Sequence, residues 1–170
     1  IPQTRERIYM VGFKDETDNN KVCSNNFNIP HEIPLKTKIR DLIDKEKQND
    51  KFYYGKDHNY FPLLEEAMKS SETVYQWRRH YVRENKSNVC PTLTANMGTG
   101  GHNVPLITDD YGIRKLTPRE CFLFQGYPKS FKLHDIANSH LYKQAGNSVS
   151  VPLIKKIALN IKLSLENKYN

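Results

Sequence analysis

The stretch LTPRECFLFQGYP at 116–128 permits one short helix and then forbids it. Thr117 can cap the first turn through its hydroxyl, Pro118 suits the first helical position, and Glu120 completes a T-x-x-E capping box. Gly126 supplies a left-handed closing residue and Pro128 blocks continuation. A helix bounded so tightly has to find its packing partners elsewhere in the chain. RERIYMVGF (5–13) reads as a buried strand ended by the turn formers DETDNN, and alternation places Gln3, Arg5 and Arg7 on one of its faces. LKTKIRDLIDKEK (35–47) sets Ile39, Leu42 and Ile43 at helical spacing, and FPLLEEAMKSS (61–71) reads as a helix opened by Pro62. QNDKFYYGKDHNY between them is loop. From Thr73 to Thr108 the composition turns β-like, which predicts twisted hairpins with irregular loops. After a further loop, PLIKKIALNIKLSL forms a last helix with Ile154, Ile157, Ala158, Ile161 and Leu165 as its apolar stripe. The expected class is α+β, with short helices around twisted hairpins.

The 170 residues suffice for one domain, or one domain with a small appendage, and for a real core. Hydrophobic content of 37% with 26% charged residues describes a polar globule that should fold. No apolar run approaches the roughly 18 residues of a membrane span, and no signal peptide opens the chain, so an intracellular, cytoplasmic protein without a membrane partner is expected. Cys23, Cys90 and Cys121 form no C-x-x-C pair and are odd in number, which suggests neither a zinc knuckle nor a disulfide framework. The six histidines show no paired metal spacing, and no metal is expected.

A net charge of +7 makes a polyanionic partner plausible. VYQWRRHYVRENK interleaves Arg78, Arg79, His80, Arg83 and Lys86 with Tyr75, Trp77 and Tyr81, a mixture suited to phosphates and bases, although a solvated edge strand has the same pattern. TLTANMGTGGHN lacks the lysine and helix of a phosphate-binding loop. Its Gly98, Gly100 and Gly101 would let backbone enter a major groove, while Thr94, Asn96 and Thr99 offer hydrogen bonds to base edges. In AGNSVSVP, Gly146 permits close backbone approach, and Asn147, Ser148 and a helix start at Pro152 would present donors together; an ordinary capped turn is the alternative.

The order PQTRERIYMVG, PTLTANMGTGG, RKLTPRECFLFQGYP, GNSVSVP resembles the C-terminal part of DNA cytosine-5 methyltransferases. Together the four segments span essentially the whole chain; only about 14–72 lacks the family's pattern. The resemblance implies three parts. Residues 1–16 would be a catalytic-domain strand. Residues 17–132 would be the target-recognition domain, with 114–128 as its scaffold segment. Residues 133–170 would hold the G-N-S-V motif and a helix packing on the catalytic domain. The terminal strand and helix would thus complete a Rossmann-like methyltransferase domain. By position, Arg7 would grip a flipped target cytosine, with Arg5 assisting at substrate or phosphate; pairing of both with acids such as Glu6 or Asp15 is the structural alternative. Asn147 and Ser148 would contact S-adenosylmethionine, and Arg78, Arg79, Arg83 and the Thr94–Gly101 loop would read double-stranded DNA, as in restriction-modification systems.

The family's Phe-x-Gly-x-Gly loop, Pro-Cys nucleophile and Glu-Asn-Val acid have no counterpart in the sequence. Cys90 precedes Pro91 in reversed order, and Glu84-Asn85 and Glu166-Asn167 are each followed by lysine. All three thiols are therefore expected to be structural or incidental, and the chain alone inactive without an N-terminal catalytic half. The missing initiator methionine favours an excised portion of a longer enzyme over the small subunit of a split one. A stand-alone DNA-binding module is the competing class, disfavoured by the apolar surface that the first strand and last helix would leave exposed.

Overall fold

The computed structural model describes residues 1–14, 27–85, 88–99 and 103–166. They form two compact units, Ile1–Arg5 with Leu35–Val149, and Glu6–Pro34 with Ser150–Asn170.

The first unit is built on a four-stranded antiparallel sheet. After helix α1 (Phe61–Ala67) come β1 (Tyr75–Arg78), β2 (Tyr81–Glu84), β3 (Val104–Asp109) and β4 (Gly112–Lys115), in the spatial order β2-β1-β3-β4. Helices α2 (Pro118–Phe124) and α3 (Asn138–Asn147) follow. Strand alternation sorts the sheet's two faces. Tyr75, Trp77, Val104, Leu106 and Ile113 pack with Leu64 and Met68 of the α1 region. Val74 and Ile107 join Leu93, Met97, Leu116, Cys121, Phe122, Phe124, Tyr142 and Ala145 in a second cluster with α2 and α3. Each fully buried large apolar side chain contributes about 1.5–3 kcal/mol, so these clusters carry the unit's stability.

Helix α2 forms as its caps predict. The Thr117 hydroxyl accepts from the Glu120 amide at 3.2 Å, and the Glu120 carboxylate accepts from the Thr117 amide at 2.7 Å. Gly126 closes the turn at φ +85°, where a side chain would be strained. Glu120 does more than cap: it also accepts both Nη groups of Arg114 at 2.8 and 2.7 Å, while Arg114 Nε donates to Asp109 at 2.6 Å. Arg114 is wholly buried. Burial alone would lower its pKa, but the two carboxylates outweigh that and raise it.

Three expectations are corrected. Residues 5–13 form no strand: no neighbouring strand pairs with them among the described residues, and Ile8 and Met10 are 91% and 93% exposed rather than buried. The helical pattern at 35–47 yields only a 3-10 turn, Ile39–Leu42, which suffices to bury Ile39. Helix α3, read as loop, covers ten residues and buries Leu141, Tyr142, Ala145 and Gly146.

The second unit contains α4 (Val151–Glu166). Asn160 Nδ2 donates to the Asn28 carbonyl at 2.6 Å, and Phe13 meets Phe27 at 5.9 Å between ring centres. The more sheltered side of α4 runs through Ile154, Ile157, Ile161 and Ser164, whereas Ala158 and Leu165 of the expected stripe are exposed. No helix among the described residues is long and apolar enough to cross a membrane.

Candidate functional site

The opening residues thread between segments that are far apart in sequence. Gln3 makes a parallel bridge to Cys90, the Thr4 amide donates to the Cys90 carbonyl at 2.9 Å, and the Thr92 hydroxyl donates to the Thr4 carbonyl at 2.7 Å. Gln3 Nε2 reaches the Phe124 carbonyl at 2.9 Å. Arg5 then gathers three carbonyls: Leu93 at 3.1 Å, Gly146 at 2.9 Å and Ser148 at 2.5 Å. The last two lie at the C-terminal end of α3, where a cation complements the helix dipole. Gly146 permits the approach: a Cβ there would meet the Thr94 carbonyl carbon at 2.3 Å. Four segments separated by up to 143 residues therefore meet at one joint.

On one side of this joint lies a polar groove of about 240 Å³, lined by Thr4, Gln76, Arg78, Arg83, Asn85, Pro91, Thr92, Thr94 and Asn103. Among the described residues that line it are two arginines and no carboxylate. Arg78 Nη1 donates to Asn103 Oδ1 at 2.5 Å and to Gln76 Oε1 at 3.2 Å. Arg79 sits at the tip of the β1–β2 hairpin, exposed, with φ +43°.

A second, open pocket of about 470 Å³ is lined by His140, Lys143, Gln144, Asn147 and Ser148. Here the local structure differs from expectation. Asn147 ends helix α3 and Ser148 is its C-cap, so the pocket sits at a carbonyl end rather than at a cluster of helix-start donors. The Ser148 hydroxyl oxygen is buried and makes no hydrogen bond among the described residues. The pocket combines the Asn147 amide and the Ser148 hydroxyl with His140 and Lys143, beside a helix C-terminus whose Gly146 and Ser148 carbonyls already accept from Arg5.

The structure thus brings Arg78, Arg83 and Thr94 together, and Asn147 with Ser148. Arg7 is exposed and donates to the Glu6 carbonyl at 2.6 Å. Asn96 and Thr99 are exposed and bonded within their own turn. Gly98 answers to packing, since a Cβ there would lie 2.3 Å from the Tyr142 ring. Gly100, Gly101 and Cys23 lie outside the described residues. Cys90 and Cys121 are wholly buried, and burial pushes both thiols up, away from the reactive thiolate. Gln76, Asn85, Thr92 and Asn103 were not anticipated. Alternation along YQWR carries the signal for Gln76, on the same face as Arg78, but nothing in the sequence marks the backbone twist that presents Asn103.

Solved structures share this fold. The chain is similar to a methyltransferase of Entamoeba histolytica (TM-score 0.54, 14% identity, 81% of this chain and 45% of that one). It is similar also to a DNMT2 of Spodoptera frugiperda (TM-score 0.55, 16% identity, 79% and 45%). The model of the C-5 cytosine-specific DNA methylase family matches residues 1–163, and the chain belongs to that family. It is 60% identical to the type II methyltransferase M.Bsp6I of Bacillus sp. (strain RFL6) over 97% of this chain and 51% of that protein. With M.HhaI of Haemophilus parahaemolyticus it shares 33% identity over 99% and 51%. The chain spans about half the length of these relatives.

Proposed function

We propose that this chain is the C-terminal, DNA-recognising portion of a DNA cytosine-5 methyltransferase, which transfers a methyl group from S-adenosylmethionine to carbon 5 of a cytosine flipped out of a specific duplex site. The observation that carries the reading is the joint at Arg5. Gln3 and Arg5 tie the Q-x-R-x-R segment to Leu93 of the P-T-L-T segment, Phe124 of the R-E-C segment and Gly146 of the G-N-S-V segment. Those are the four segments on which the family resemblance rests, and they meet between two polar sites.

In this reading residues 1–16 and 133–170 complete the catalytic domain and 17–132 recognise DNA. Flipping is needed because ring carbon 6 is unreachable within the base stack. The N-terminal half contributes a cysteine that adds to carbon 6 and a carboxylic acid at ring nitrogen 3. Arg7 donates to the cytosine O2, where negative charge grows as the thiolate adds, so it stabilises the transition state more than the ground state. Arg5 holds the backbone leading to Arg7. Asn147 and Ser148 position the cofactor, which when bound supplies the electrophilic methyl. Arg78, Arg79, Arg83, Thr94, Asn96 and Thr99 face the duplex, together with the backbone of the Gly98–Gly101 stretch of sequence. Such enzymes serve restriction-modification systems.

The test is complementation. The chain is mixed with a separately made N-terminal half carrying the Pro-Cys and Glu-Asn-Val motifs, and transfer of labelled methyl to DNA is measured against each half alone. Activity only in the mixture, lost with Arg7→Ala, is the expected result. A silent mixture in which the chain alone binds DNA with sequence preference would replace the reading with that of a stand-alone binding module.

A further inference from the structure

We propose that Arg78 reads the edge of a guanine, and that Gln76 and Asn103 are the positioning residues that set its guanidinium for that contact. The inference rests on the DNA-recognition reading above and divides the work among its arginines. Gln76 and Arg78 alternate with Tyr75 and Trp77 along β1, so both project from the sheet face that borders the groove. Gln76 is only 5% exposed, an unusual place for an amide unless it serves a partner, and that partner is Arg78 Nη1 at 3.2 Å. Asn103 holds the same nitrogen at 2.5 Å. Its backbone lies at φ +60°, a left-handed conformation that asparagine tolerates better than most residues, and its backbone amide donates to the Trp77 carbonyl at 2.7 Å.

Both acceptors are neutral, and among the described residues no carboxylate lines the groove, so these partners orient Arg78 without neutralising it. A half-buried, oriented guanidinium presents a planar fork. Guanine offers two adjacent acceptors, N7 and O6, to such a fork in the major groove, and this pairing discriminates strongly against other bases. Phosphate contact needs charge but no such orientation. Arg79, exposed at the hairpin tip, and Arg83, exposed opposite Gln76, suit that role.

The complete enzyme carrying this chain is bound to a pool of randomised duplexes at several salt concentrations, and retained sequences are counted. Wild type should enrich a guanine at a defined position. Arg78→Gln and Arg78→Lys should each erase that preference alone, a loss of about ten- to a hundredfold at one base pair, with the salt slope of Arg78→Lys unchanged. Asn103→Gly tolerates the backbone conformation and removes only the acceptor; it should weaken the guanine preference while keeping the thermal midpoint. Arg79→Gln should retain the site and lower the salt slope by about one. If Arg78→Gln instead weakens retention evenly across the pool and lowers the slope by about one, Arg78 is a phosphate contact and the proposal fails. If its variants leave the preference intact, it fails as well. A wild-type pool without any preferred base defeats the recognition reading itself.

Discussion

Arg114 is wholly buried, a burial that nothing in the RKLTPREC segment containing it announced. Its charge is balanced by Glu120 and Asp109, and the same Glu120 carboxylate caps α2 and accepts the Asp44 amide at 3.0 Å. Glu120→Ala therefore strands a buried guanidinium and removes a cap at once. A destabilisation of about 3–5 kcal/mol is expected, read from urea midpoints. The thiols give a pH dependence with a definite sign. Burial raises Cys90 and Cys121 above the ordinary value of 9.0, so the folded state stays protonated where the unfolded thiols ionise. Their contribution is fully present below pH 9 and is lost as pH rises. Stability should therefore fall between pH 8 and pH 10, and Cys121→Ala should make that fall smaller in paired urea titrations. Legibility at this scale was uneven. Capping chemistry exposed Glu120 because a box has a fixed spacing. Its ion pair with Arg114 depends on how β4 and α2 pack, which no spacing encodes.

Elements were legible where their ends carry chemistry. Helix α2 has Thr117, Pro118 and Gly126 as punctuation, and α1 opens at Phe61 with Pro62 in its first turn. Helix α3 has no side-chain cap at Ala137, and its buried residues are few and set among His140, Lys143 and Gln144, so its pattern reads as loop. Its reality shows in the Gly146 contact. Gly146→Ala would drive a Cβ into the backbone of Thr94 and Ala95 at 2.3–2.4 Å, and backbone cannot rotate away as a side chain can. A loss of about 1–3 kcal/mol is expected. On the reading proposed above, cofactor binding in the complemented enzyme weakens as well, because the shift displaces the turn that holds Asn147 and Ser148. Thr117→Ala, by contrast, should cost about 1 kcal/mol and leave cofactor binding unchanged, since α2 does not line that pocket. Comparing thermal midpoints with cofactor affinity for the two variants separates a site effect from a general loss of stability.

At the scale of the molecule, the segment 5–13 explains why a motif can be legible when its structure is not. RERIYMVGF has the composition of a buried strand, but a strand is made by its neighbours, and none pairs with it among the described residues. Ile8 and Met10 consequently lie in solvent, as do Leu159, Leu163 and Leu165 on α4. On the reading proposed above, these apolar side chains meet the N-terminal half. That gives a prediction in which stability and activity part company. Exposed residues contribute little to the chain's own fold, so Ile8→Asp and Met10→Asp should change its unfolding free energy by no more than about 0.5 kcal/mol. Placing a charge in a surface that becomes buried on assembly is costly, so the same variants should fail to restore methyl transfer when mixed with the N-terminal half, except at much higher concentrations of that partner. Titrating the partner at fixed chain concentration distinguishes weakened assembly, which shifts the midpoint, from a damaged active site, which lowers the plateau. Full activity from Ile8→Asp and Met10→Asp at the wild-type midpoint would mean that this segment stays solvated in the enzyme, and the place proposed for residues 1–16 in the catalytic domain would have to be withdrawn.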